Sequence, residues 1–191
     1  MTGVTHMKRF HQHTGLALVL LAASGALGAA EILNRNITEA EITAAQDGWG
    51  KALVQISDDY RSGGIEKAKA TASAVLDSAY GYADGPVLFK PTLASGEQTF
   101  RLTKAGALAY FVGHDPAYPA DTGFALKNWK SYRYENAAVY INGNMGLTMG
   151  TVHLIDRDNK EVDVDKTWGF RKGDDGKVRI VLHHSSLPYS H

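Results

Sequence analysis

The sequence predicts an α+β fold in which N-terminal helices pack on one face of a curved antiparallel sheet. Helix-forming sequence with a 3.6-residue apolar period occupies the first part of the chain after residue 38. Residues 129–187 instead consist of short β-forming runs separated by turn sequences. Helices followed by a run of hairpins are typical of α+β proteins, whereas alternating βαβ units would predict a parallel sheet.

A capping box opens the first predicted helix. Thr38 and Glu41 have the spacing of this motif, and apolar residues follow at helical intervals to about Tyr60. The Gly63-Gly64 pair predicts the end of that helix. A second helix, rich in Ala and Lys, is predicted over residues 65–80.

Short elements connect these helices to the β-rich part. Residues 87–90 predict a short strand bounded by prolines, and residues 99–102 predict another. A third helix is predicted over 103–112, with Thr103 as its N-cap and Gly113 at its end.

The β-rich part predicts five strands joined mainly by short turns, which indicates an antiparallel meander. The predicted strands cover residues 129–136, 137–141, 145–156, 161–171 and 177–187.

Residues 1–30 predict a secretory signal peptide, with residues 1–6 as a possible upstream extension before Met7. Lys8 and Arg9 precede the apolar run from Leu16 to Leu21, and small residues follow up to Ala30. That run is shorter than the roughly 20 residues that a membrane span needs. We therefore predict a periplasmic or secreted protein with one domain over residues 31–191.

Composition excludes several classes of function. The chain has 20 basic and 20 acidic residues, so the mature part is close to neutral and no nucleic-acid surface is indicated. No segment after the signal peptide predicts a membrane span. Cysteine is absent, which excludes disulfides and thiolate zinc sites.

The last predicted strand ends in His183-His184-Ser185-Ser186. Alternate residues of a strand share a face, so His183 and Ser185 point one way and His184 and Ser186 the other. Adjacent histidines diverge, which argues against a three-histidine zinc site that also recruits His153 or His114. No nucleophile elbow or phosphate loop is present. For His183 and Ser185 alone, a strand-end cluster bonded to backbone remained the simplest interpretation.

The chain also resembles a known family, the iota-class carbonic anhydrases, along essentially the whole mature sequence. The blocks that carry the resemblance are Tyr80-Gly81-Tyr82, residues 87–92, residues 107–113, Gly123-Phe124-Ala125, Trp129, Glu135-Asn136-Ala137 and residues 182–189. The resemblance implies a cone-shaped, strongly bent antiparallel sheet with helices in its concave side. This fold is that of the calcium/calmodulin-dependent protein kinase II association domain and the nuclear-transport-factor-2-like superfamily.

The resemblance also implies reversible hydration of carbon dioxide to bicarbonate in a metal-free pocket. It carries over to Thr92, Tyr110 and Ser185 as binding hydroxyls and to His183 as a neighbouring catalytic group. We expect His183 to orient water or relay a proton with a pKa near neutrality, and Phe89 and Phe111 to form a dry wall. Zinc or another divalent metal stayed open, because some relatives are described as metal-dependent.

Two other functions remained open. The domain could bind a small anion without catalysis or act as a dimeric scaffold, since this fold hosts many functions. It could also be a lyase or isomerase in which His183 pairs with Asp163 or Asp165. A homodimer is expected by resemblance, with Trp129, Tyr132, Tyr134 and Tyr140 as candidate interface aromatics, although packing in the core explains them equally well.

Overall fold

The computed structural model describes residues 1–3 and 34–190. The predicted signal peptide therefore lies almost wholly outside the described residues. Residues from Asn34 onward form one compact unit. Within the described residues, no helix combines the length and the apolarity of a membrane span.

A long kinked helix, α1, covers Glu39–Ala79. Thr38 caps it with the predicted capping box, since its side chain accepts from the Glu41 amide while the Glu41 carboxylate accepts from the Thr38 amide. Gly64 interrupts the helical backbone with φ 73° and ψ −167°. A positive φ suits glycine, which has no Cβ to clash. The two predicted helices thus exist and meet at this kink.

Two short elements follow. Strand β1 covers Leu88–Lys90 and helix α2 covers Lys104–Val112, with Thr103 accepting from the Gly106 amide as its cap. The predicted strand over 99–102 is wrong: this segment forms only one backbone bond to β1, from the Arg101 amide to the Phe89 carbonyl at 2.8 Å. The buried Arg101 side chain holds the segment instead, through its ion pair with Asp121.

The remaining four strands are β2 (Trp129–Asn142), β3 (Met145–Asp156), β4 (Glu161–Lys172) and β5 (Val178–Ser186). They form the predicted antiparallel meander. The two strands predicted over 129–141 are one strand, β2, which is interrupted by a register shift between Asn136 and Ala138. Gly150 lies opposite this shift, where an added Cβ would clash with the Glu135 carbonyl oxygen.

The sheet has the strand order β1-β5-β4-β3-β2. Strand β1 runs parallel to β5 and places Phe89 opposite His183, so the sheet is mixed rather than wholly antiparallel. The α+β prediction is confirmed, and the parallel edge is its one topological difference. This edge is important because it joins the Pro91-Thr92 corner to the end of β5.

Candidate active site

The end of β5 presents two different faces. His183 and Ser185 are buried, with exposed fractions of 1% and 2%, whereas His184 is exposed. This confirms the predicted separation of the His-His-Ser-Ser sequence into an inner pair and an outer pair. The inner pair points into the core, where α1 and β1 pack against β5.

Aromatic rings enclose the imidazole of His183. The Phe89 ring stacks on it with a centroid distance of 4.5 Å and an interplanar angle of 17°. The Trp49 ring meets it edge-on at 5.6 Å. His183 therefore lies in an apolar environment, where a charged imidazolium is poorly solvated.

Both ring nitrogens of His183 have partners. Nδ1 lies 2.9 Å from the Tyr80 hydroxyl, which itself accepts a hydrogen bond of 3.0 Å from the Trp49 indole N–H. Nε2 lies 2.6 Å from Nζ of Lys166. The same Nζ donates to the Ser185 hydroxyl oxygen over 3.3 Å. The imidazole is thus bonded on both sides, and Lys166 links it to Ser185.

Sequence reasoning missed Lys166, although a signal was present. Strand β4 points a series of side chains inward at period two, and every other member is apolar. The series is Val162, Val164, Lys166, Trp168 and Phe170. A lysine on a buried face needs an explanation, because lysines are almost never fully buried without a partner.

The pKa of His183 differs from our expectation. Burial lowers it well below the ordinary value of 6.5, and Lys166 and His184 lower it further. Burial also lowers the pKa of Lys166 well below its ordinary value of 10.5. The expectation that His183 titrates near neutral pH is wrong: the imidazole is neutral there, since its aromatic surroundings cannot solvate a cation.

Thr92 and Tyr110 form a second buried pair, with exposed fractions of 8% and 4%. Burial raises the pKa of Tyr110, and the neighbouring Thr92 hydroxyl acts in the opposite direction. Thr92 is therefore close to the phenol, but within the described residues no group meets the geometry of a hydrogen bond to the Tyr110 hydroxyl. A buried hydroxyl without a partner is costly, so it calls for an explanation such as a bound ligand or water.

Phe89 connects the two pairs. Its ring stacks on His183 and also meets the Tyr110 ring edge-on at 5.7 Å. Phe111 stacks on the same ring at 5.7 Å. One member of each pair, His183 and Tyr110, therefore contacts the same apolar ring. The dry wall that we assigned to Phe89 and Phe111 stays a prediction.

The lyase alternative has no geometric support. Asp163 and Asp165 are both exposed, on the opposite face of β4 from Lys166. Asp163 contacts His153, at 2.6 Å from its Nδ1, and not His183. The acid–base pair that this function needs is absent from the part of the chain that the structure describes.

One cluster in the described part of the chain has the spacing of a metal site. It consists of His153, Glu161 and Asp163, whose ligand atoms lie within 4.8 Å of one another. The cluster is on the outer face of the sheet, away from His183, and Arg133 already pairs with Glu161 at 3.0 Å. Its two carboxylates are exposed and belong to a charge network with Arg133, and none of the predicted site residues belongs to it.

The chain is similar to known proteins over most of its length. The family model described as "Metal-independent carbonic anhydrase" matches residues 40–187. The chain belongs to this family. A curated metal-independent carbonic anhydrase from Nostoc sp. (strain PCC 7120 / SAG 25.82 / UTEX 2576) is 58% identical over 158 residues, covering 83% of this chain and 77% of the relative.

Solved structures agree with the family. An iota-carbonic anhydrase from a cyanobacterium, complexed with bicarbonate, superposes with a TM-score of 0.84 at 56% identity, covering 85% of this chain and 99% of the other. A calcium/calmodulin-dependent protein kinase II association domain from Xanthomonas campestris has a TM-score of 0.52 at 21% identity, covering 85% of this chain and all of that one. The second likeness concerns the fold alone.

Family membership decides the class of chemistry. As a member of this family, the protein is a lyase that interconverts carbon dioxide and bicarbonate, and it needs no metal cofactor. The prediction of iota-class activity is confirmed, in preference to a non-catalytic anion-binding or scaffold protein.

Proposed function

We propose that carbon dioxide and bicarbonate bind beside Phe89, between the Thr92-Tyr110 pair and Ser185, with the three hydroxyls as donors to the anion. The observation that carries this proposal is the Tyr110 hydroxyl, which is buried and has no hydrogen-bond partner among the described residues. A bicarbonate oxygen would satisfy it. The solved relative complexed with bicarbonate supports an anion-binding site in this fold.

In the hydration of carbon dioxide, these hydroxyls would stabilise the negative charge of the bicarbonate that forms. Water attacks carbon dioxide through its oxygen and releases one proton to bulk water or buffer, so the bicarbonate oxygens acquire one full negative charge. Preorganised donors in a dry site stabilise such charge better than water does. Phenol and alcohol groups can act as donors without carrying charge themselves, and they also orient the attacking water. In this proposal His183, neutral and bonded on both sides, holds the site in place and does not receive the released proton at neutral pH.

An assay of carbon dioxide hydration after exhaustive chelation tests this function. We expect the chelated wild-type protein to keep its activity and Thr92→Ala to lose about 10-fold or more, because one donor to the anion is removed. Thr43→Ala, an exposed position on α1, serves as the control and should keep wild-type activity. Loss of activity on chelation, with recovery on adding zinc, would contradict the metal-free mechanism.

We further propose that two copies associate through the outer face of the sheet. Tyr140 and Leu147 are opposite each other on β2 and β3, and Met149 lies on the same face. Their exposed fractions are 63%, 41% and 60%. Together they expose an apolar patch to water, as is typical of a protein–protein interface. Trp129, Tyr132 and Tyr134 are different: Trp129 is buried, and the two tyrosines bond to backbone carbonyls of α1.

Met149→Glu is expected to convert the dimer into a monomer. A carboxylate in the middle of an apolar interface loses its water without gaining a partner, which is strongly unfavourable. Analytical ultracentrifugation measures the change, with Lys177→Glu, at an exposed turn, as the control. A wild-type protein that sediments as a monomer at high concentration would contradict the proposal.

Export of the protein is proposed from residues 1–30 alone. Expression of the full chain in a Gram-negative host should yield mature protein in the periplasm, cleaved near Gly28 or Ala30. Mass spectrometry of the periplasmic fraction identifies the new N-terminus. Retention of the uncleaved chain in the cytoplasm would argue against the signal peptide.

A further inference from the structure

The buried Lys166 has no role in the function proposed above, and its contacts suggest one. Its Nζ contacts His183 and Ser185 on β5 and lies 4.2 Å from the centre of the Trp49 ring. Trp168 is the next inward residue of its own strand, at 5.4 Å. No carboxylate is within ion-pair distance of Lys166 in the described residues. A buried ammonium would therefore have no counter-charge.

The direction of each hydrogen bond in this series can be deduced by starting from Trp49, whose indole is the member farthest from Ser185. The Trp49 indole is a donor only, so the Tyr80 oxygen accepts from it. The Tyr80 hydrogen then has one acceptor in reach, Nδ1 of His183. If Nδ1 carried a proton instead, the buried Tyr80 hydrogen would have no acceptor among the described residues, which is unfavourable for a buried donor.

The directions of the remaining hydrogen bonds follow from that first step. A neutral imidazole with an accepting Nδ1 has its proton on Nε2, which therefore donates to Nζ of Lys166. Nζ can accept only as a neutral amine, in agreement with the direction in which burial moves its pKa. The amine still has hydrogens to donate, and one goes to the Ser185 oxygen.

We infer that Lys166 is a positioning residue for carbon dioxide hydration, which as a neutral amine holds Ser185 so that the serine hydroxyl donates to the substrate. Accepting a bond from Lys166 leaves the Ser185 hydrogen free to point away from the amine, and it also strengthens that hydrogen as a donor. This inference rests on the proposed role of Ser185. A neutral amine also leaves the pocket without a fixed positive charge that would retain the bicarbonate product.

A double-mutant cycle tests the inference. Lys166→Met should lower kcat/KM by about 10-fold or more, mainly through kcat, because the Ser185 donor is then misaligned. In a Ser185→Ala background the same substitution should have no further effect, since its target is absent. Lys172→Met, on the same strand but bonded to Glu41, is the matched control and should leave kcat/KM unchanged. Multiplicative losses in the double variant would overturn the inference.

A measurement on the wild-type protein covers the case in which Lys166→Met fails to fold. ¹⁵N NMR of the His183 ring should find the proton on Nε2 and an accepting Nδ1. A proton on Nδ1 would overturn the inference whatever the activity data. If Ser185→Ala alone keeps full activity while the tautomer is as expected, the proposed substrate site is wrong and the hydrogen-bond chain stands.

The neutral amine also has a pH signature. The folded-state pKa of Lys166 is lowered by burial, so the unfolded state binds the extra proton more tightly and stability rises with pH up to the ordinary value of 10.5. The urea midpoint of the wild type should therefore rise more between about pH 7 and about pH 9 than that of Lys166→Met. Equal shifts would show that the folded protein holds an ammonium.

Discussion

Tyr110→Phe is expected to remove about 100-fold or more of the carbon dioxide hydration activity without lowering stability. The hydroxyl that it removes is buried and lacks a partner among the described residues, so the folded protein loses no internal hydrogen bond. The loss should fall on catalysis, because the neighbouring Thr92 hydroxyl and the Thr92 and Leu93 backbone amides lie close to the phenol without meeting hydrogen-bond geometry. Stopped-flow hydration assays and thermal unfolding measure the two quantities on the same sample.

Tyr82→Phe provides the matched control for this prediction. The Tyr82 hydroxyl donates to the Arg101 carbonyl over 3.0 Å and its ring stacks on Tyr80 at 5.8 Å. Removing it should cost about 0.5–1.5 kcal/mol of stability and little activity. Loss of a phenol hydroxyl should therefore lower activity but not stability in Tyr110→Phe, and stability but hardly activity in Tyr82→Phe. A Tyr110→Phe protein that is both fully active and less stable would show that the phenol is structural.

Arg101→Met is expected to have the largest effect on stability, about 3–5 kcal/mol, because it leaves a buried carboxylate unpaired. Arg101 donates to both oxygens of Asp121, each at 2.9 Å, and the two side chains are only 2% and 6% exposed. The pair connects the segment before α2 to the loop after it. Chemical unfolding measures the loss, and Arg133→Met, at an exposed ion pair, should cost about 0–1 kcal/mol.

The loss of stability caused by Arg101→Met should become smaller as pH falls. Burial raises the pKa of Asp121, while Arg101 lowers it. Without Arg101 the carboxyl takes up a proton at a higher pH, and a protonated carboxyl no longer needs a counter-charge. Unfolding at a series of pH values follows this change. A deficit that is independent of pH would mean that Asp121 finds another partner in the variant.

The helices and hairpins could be predicted because their signals are local. The Thr38–Glu41 capping box, the kink at Gly64 and the period-two strands each depend on neighbouring residues in the sequence. The separation of His183 and Ser185 from His184 follows from strand geometry alone. The assignments of Thr92 and Tyr110 came instead from family resemblance, since nothing local identifies them.

The parts that could not be predicted depend on contacts between distant segments. The segment 99–102 has the composition of a strand, but Arg101 forms an ion pair with Asp121 that no local pattern predicts. The pKa of His183 depends on rings from α1 and β1. Lys166 was visible as an exception to the apolar series of β4, but its partners required the register between β4 and β5.

The parallel pairing of β1 with β5 has a consequence for folding kinetics. The contacts that complete the site join residues far apart in sequence: 103 positions separate Tyr80 from His183, and 95 separate Lys90 from Ser185. Closing such loops costs entropy before any contact compensates for it, so these pairings form late. Refolding protein should therefore regain its helical circular dichroism first, and its ability to hydrate carbon dioxide only when the edge strand docks.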